Sequence, residues 1–110
     1  MATLFKNKIY TNAGLDEVTA LTTAGNARTT VLGLSLTNLI DSPIQVSVRV
    51  YDPEQDLSAF FIKNVIIPQG QSLRAINGGE RLVLAPNTSI KIVSNAVDSL
   101  DFILSYVEIV

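Results

Sequence analysis

The feature that most constrains this chain is its punctuation. Short runs rich in Val, Ile, Leu and Thr recur along the sequence, and every ten residues or so a cluster of Pro, Gly, Asn, Asp or Ser interrupts them. Helices in globular proteins need about ten or more residues with a 3.6-residue apolar period. These runs are too short and alternate with a period of two. The pattern predicts an all-β, antiparallel β-sandwich, Ig-like or jelly-roll-like, in a single domain spanning residues 1–110.

Residues 31–38 carry the clearest alternation. Leu32, Leu34 and Leu36 fall on one face, and Val31, Gly33, Ser35 and Thr37 on the other. After Asp41-Ser42-Pro43, Ile44, Val46, Val48 and Val50 alternate with Gln45, Ser47, Arg49 and Tyr51. The short connection predicts that these two strands pair as a hairpin. Further strands are expected at residues 59–67, with a bulge near Asn64, and at 72–76, 81–84, 89–94 and 100–110. Asn77-Gly78-Gly79 reads as a tight turn between two of them. Residues 14–22 allow a short helix, but Thr19, Thr22 and Thr23 favour a strand. The expected core is Leu32, Leu34, Leu36, Val46, Val48, Ile90 and Ile92.

Composition narrows the function. The chain is 47% hydrophobic and only 16% charged, so part of its apolar surface is expected to lie against a partner. Net charge is −2 with Lys and Arg scattered singly, which predicts no nucleic-acid binding. Cysteine and histidine are both absent, removing disulfides and the usual zinc ligand sets. No apolar run approaches the roughly 20 residues that span a bilayer, and no secretory signal is evident. The expectation is a soluble protein of a reducing compartment that needs no membrane, metal or cofactor.

Three motifs suggest chemistry and fall short of it. Asp52, Glu54 and Asp56 resemble the opening of a calcium loop, but Leu57 replaces the turn glycine and the distal Glu is missing. Gly78-Gly79 with Asn77 and Arg81 lacks the longer glycine frame, Lys and helix of a phosphate loop. Asn87-Thr88-Ser89 matches a glycosylation sequon and reads as a polar turn. Without His, a nucleophilic Ser or Thr would need Lys or a terminal amine as its base, and no such motif is present. The chain is expected not to be an enzyme.

The two ends of the chain carry the interface expectation. Residues 1–10 hold too few apolar side chains for a core strand and read as an N-terminal arm. In the last strand Phe102, Leu104 and Tyr106 share one face while Ile103, Val107 and Ile109 share the other, so both faces are apolar. Leu4, Phe5, Ile9, Phe102, Tyr106 and Ile109 are therefore the candidate contacts with other subunits.

The order of Val31-Leu-Gly-Leu-Ser-Leu-Thr-Asn38, Ser42-Pro-Ile-Gln-Val-Ser-Val48 and Ile67-Pro-Gln-Gly-Gln-Ser72 resembles small β-sandwich virion proteins of tailed phages. Gly78-Gly-Glu-Arg-Leu-Val-Leu84, Pro86-Asn-Thr-Ser-Ile-Lys-Ile92 and Ser105-Tyr-Val-Glu-Ile109 extend the resemblance over residues 29–109. It implies a structural component of a phage particle with an aquatic or cyanobacterial host, of the capsid decoration or cement type. Neck, tail or baseplate subunits and a carbohydrate- or receptor-binding module are the alternatives. The implied partners are the major capsid protein, other virion subunits and further copies of the chain, with no catalytic residues to carry over.

Overall fold

The computed structural model describes residues 2–77 and 81–110. Among the described residues the chain forms strands and no helix: β1 (Thr3–Ala13), β2 (Val18–Thr22), β3 (Arg28–Asn38), β4 (Ile44–Asp52), β5 (Leu57–Ile67), β6 (Ser72–Leu84), β7 (Ser89–Ser94) and β8 (Leu100–Ile109). They build two four-stranded sheets, ordered β1-β8-β3-β6 and β2-β7-β4-β5. All pairings are antiparallel, and four follow one rule: β4 with β5, β3 with β6, β2 with β7, β1 with β8. The chain is thus a long ribbon doubled back at the β4–β5 turn. Two further pairings, β3 with β8 and β4 with β7, roll that ribbon into two sheets. This is the jelly-roll arrangement, which selects between the two sandwich types the sequence allows.

The inner faces of the two sheets make the core. Six of the seven expected core residues are buried: Leu34, Leu36, Val46, Val48, Ile90 and Ile92. Leu32 is the exception. Inward positions on β3 run Thr29, Val31, then Leu34, Leu36 and Asn38, so the parity changes in between. The pairing of β3 with both neighbours shifts register between Val31 and Gly33. A bulge adds one residue to a strand and so reverses which side chains face inward. Val31 therefore fills the core, and Leu32 turns to the outer face.

The hairpin expected between residues 31–38 and 44–51 does not form. Its two strands lie in different sheets, each at a central position with other partners. The connection is an arch over the end of the sandwich, organised by buried Asn38. Its side-chain Nδ2 donates to the carbonyls of Ser42 (2.9 Å), Ile67 (3.0 Å) and Pro68 (3.2 Å), while its Oδ1 accepts from the Ile40 amide (2.9 Å). One side chain thus ties two backbone groups of the arch, at Ile40 and Ser42, to the end of β5.

Other expectations meet the structure more directly. Residues 18–22 form a strand, and β5 is broken at Asn64, which has φ 51° and exchanges hydrogen bonds with the Ser47 hydroxyl. The segments 72–76 and 81–84 are two parts of β6. Both run antiparallel to β3, with Ser72 opposite Thr37 and Leu84 opposite Thr29, so the two flanks keep one direction along β3. The turn expected at Asn77-Gly78-Gly79 falls on residues 78 and 79, outside the described residues. At the far end of β1, Gly14 passes so close to the β7–β8 connection that a Cβ there would meet the Asp98 amide nitrogen at 2.9 Å. Its carbonyl accepts from the Ser94 amide (3.0 Å), tying the two connections together.

Candidate functional site

Residues 3–10, read from the sequence as an arm, form most of edge strand β1. They pair residue by residue with β8, from Thr3 opposite Ile109 to Tyr10 opposite Phe102. Backbone pairing asks nothing of side-chain polarity, which is why a strand poor in apolar residues can still belong to the sheet. Every residue from Thr3 to Asn12 is nevertheless exposed.

Residues directly opposite in an antiparallel pair share a face. On the outer face of the β1-β8-β3-β6 sheet, one row therefore crosses all four strands: Phe5, Val107, Thr30, Val83. A second row reads Ile9, Ile103, Ser35, Arg74. Phe5 is 77% exposed, Val83 74%, Ile9 67% and Ile103 48%. Leu32, turned outward by the bulge, lines an open depression of about 380 Å³ with Ile103, Ser105, Ser35 and Arg74. These apolar side chains left in water make this sheet face the candidate contact surface.

The inner side of β1 differs. Lys6 donates to Glu108 (3.0 Å), and that hydrogen bond, reinforced by the carboxylate charge, raises the Lys6 pKa. Tyr10 lies flat on Phe102, with ring centroids 5.3 Å apart and 4° between planes, closing the margin of the core.

Of the six candidate contact residues, the structure brings Phe5 and Ile9 together on the outer face, with Leu4 exposed on the inner side and Ile109 half-buried at the strand end. Phe102 and Tyr106 are corrected: they are 1% and 5% exposed, packed against the opposite sheet within the domain, and have no surface left for a subunit. The outward residues of β8 are the alternate ones, Ile103 and Val107. The two apolar faces of this strand were visible in sequence; which of them lay inside was not. Val83 carried no signal beyond ordinary strand alternation.

The remaining motifs resolve locally. Asp52 accepts from the Glu54 amide (3.0 Å) and from Gln55 Nε2 (2.8 Å), so its carboxylate closes its own turn. Asp56 accepts from the Tyr51 hydroxyl (3.2 Å), which raises the tyrosine pKa. Among the described residues no group of three or more Asp, Glu, His or Cys could hold a metal ion. Arg49 grips Glu17 through two bonds, Nε to Oε2 at 2.8 Å and a terminal nitrogen to Oε1 at 2.6 Å, and this lowers the Glu17 pKa. The three tyrosines are scattered: Tyr106 is in the core, Tyr10 stacks on Phe102, and Tyr51 sits between Arg49 and Lys91 on the other sheet.

No protein family model and no curated protein matches the sequence. Solved structures share its fold. A chain of Bacillus endospore appendages, a family of disulfide-linked pili, superposes with a TM-score of 0.59 at 10% identity, over 97% of this chain and 85% of that one. A chain from infectious bursal disease virus, Gx strain, superposes with a TM-score of 0.52 at 11% identity, over 96% of this chain. This chain spans 33% of the length of that viral one. The likeness establishes an all-β sandwich. This chain has no cysteine, so the disulfide linkage of those pili has no counterpart in it.

Proposed function

We propose that this protein is a non-catalytic virion subunit, a capsid decoration or cement protein that binds the major capsid protein at capsomer junctions of a phage head. The observation that carries the reading is the set of exposed apolar side chains on the outer sheet face, Phe5, Ile9, Ile103 and Val83, with half-buried Val107 among them. These side chains add nothing to the core of their own domain. Covered by a shell subunit, they would contribute about 25 cal/mol per Å² of apolar area, repeated at every site on the shell. Internal pressure or shell expansion must then break those contacts as well. The fold shared with a virus and with an appendage supports a role in assembly, and the cysteine-free chain would assemble without covalent links. The scattered tyrosines offer no aromatic platform and weigh against a carbohydrate-binding module.

The test is to locate the protein in intact particles by labelling and imaging. Many copies in a regular lattice on the head are expected. A few copies at the neck, tail or baseplate would move the subunit to those sites, and absence from particles would end the reading.

A further inference from the structure

The two sheets present four edge strands, and three of them are blunted. Edge strands expose unpaired N–H and C=O groups that template pairing with another chain, and proteins suppress this with short, bulged or charged edges. β2 has 5 residues and a register shift between Thr19 and Leu21. β5 is kinked at Asn64, and its exposed Phe60 is overlaid by the Lys63 ammonium, 5.1 Å from the ring centre. The pairing of β6 with β3 shifts register at two places. β1 shifts too, between Tyr10 and Ala13, but before that it keeps a long unbroken register from Thr3 to Tyr10.

The free edge of β1 can be specified atom by atom. Ala2 and Val110 exchange both backbone hydrogen bonds, at 2.7 and 2.9 Å. Hydrogen-bonded and non-hydrogen-bonded pairs alternate along an antiparallel ladder, so Leu4, Lys6, Lys8 and Tyr10 also bond to β8. The N–H and C=O groups of Thr3, Phe5, Asn7 and Ile9 therefore point away from the sheet. The same residues carry the exposed Phe5 and Ile9 side chains.

We propose that β1 pairs antiparallel with β1 of a second copy about a twofold axis, joining two sheets into one of eight strands. This deepens the assembly reading and rests on it for its biological setting. Charge selects the register. Centring the axis on Asn7 sets Phe5 opposite Ile9 but also Lys6 opposite Lys8. Centring it on Lys6 sets Lys6 against itself. Like charges directly opposite destabilise a strand pair. Within the unbroken stretch from Thr3 to Tyr10, centring it on Phe5 is the longest register that opposes no lysines. It sets Phe5 against Phe5, Thr3 against Asn7 and Leu4 against Lys6. Each Lys6 then lies in the same cross-strand row as the other copy's Leu4 and Glu108, an attractive arrangement. It also buries the most exposed of the large apolar side chains at the centre of the contact.

The absence of cysteine makes this register directly readable by disulfide trapping. Opposed Phe5 positions would lie about 5.5 Å apart between Cα atoms, inside the range a disulfide spans. Under mild oxidation, Phe5→Cys should form a covalent dimer at least about tenfold faster than Ile9→Cys or Phe60→Cys, because a held pair has a high effective concentration. Mixing Thr3→Cys with Asn7→Cys should give a crosslinked heterodimer, and Thr3→Cys alone should not. Circular dichroism confirms that each variant is folded. Equal rates at all three exposed sites, a lead for Phe60→Cys, or crosslinking of Thr3→Cys alone would overturn the proposal. If Phe5→Cys stays monomeric while the protein still occupies particles, only the edge pairing fails. Absence from particles fails the assembly reading instead.

Discussion

β1 and β8 lie side by side in the same sheet, matched from Thr3–Ile109 to Tyr10–Phe102, yet they do opposite things. β8 runs between two partners and buries Leu100, Phe102, Leu104 and Tyr106 against the second sheet. β1 has one partner, and of its side chains only Ala13 is buried. Both strands contain large apolar residues. What separates them is position: β8 lies between β1 and β3 inside its sheet, whereas β1 is the edge. Hydrophobicity therefore builds the core on one strand and is left in water on the other.

Five substitutions probe that contrast, and the first should have the largest effect. Phe102→Ala on β8 is expected to cost about 3–5 kcal/mol, read as a shift of the denaturant midpoint. A loss under about 1 kcal/mol would mean that β8 is not core at all. On β1, Tyr10→Ala removes the strand's one aromatic contact with the core, and about 1–2 kcal/mol should follow from the lost stacking and partial burial. If it matched Phe102→Ala, the two strands would be energetically alike and the contrast would collapse.

Glu108→Gln tests the charged link between the two strands. The folded Lys6 pKa is raised above its ordinary 10.5 by the bond to Glu108, so its contribution is fully present below that value and lost as pH rises through the raised one. A small drop in the thermal midpoint is expected near neutral pH, fading in high salt and at strongly alkaline pH. A difference that persisted there would point to packing instead of charge. The smallest effect belongs to Phe5→Ala and Ile9→Ala, each expected within about 0.5 kcal/mol of the parent in the isolated domain. Their consequence should appear only in pairing and particle occupancy. A loss of several degrees in the monomer would show that the outer face is structural.

The contrast also explains what the sequence could and could not convey. Strand identity was legible because alternation and turn chemistry are local, and so was the kink at Asn64, a residue that tolerates positive φ. Pairing was not, because nothing local distinguishes a hairpin from an arch. The arch is held by Asn38 reaching across to Ile67 and Pro68 and by the Leu39 amide bonded to the Ser99 carbonyl, groups distant in sequence. The inward face of β3 was misread at Leu32 because one inserted residue reverses parity without disturbing the alternation on either side. Of the exposed outer face, Phe5 and Ile9 were legible as apolar residues on a strand otherwise too polar for a core. Phe102 and Tyr106 were assigned outward because parity gives two faces and does not say which one meets the other sheet.

The nested pairing of the ribbon also sets an order of events in time. Among the described residues only β4 and β5 are neighbours along the chain that also share a ladder, so theirs is the pairing that a short loop closes. Each further layer, β3 with β6, then β2 with β7, then β1 with β8, spans a longer stretch of chain, and ordering distant contacts slows folding. During synthesis β1 must wait until residues 100–109 have emerged before its partner exists. β1 is expected to dock last and to open first, so its amides should exchange with solvent ahead of those of β4 and β5. The edge offered for assembly would then also be the strand that reports whether the chain has finished folding.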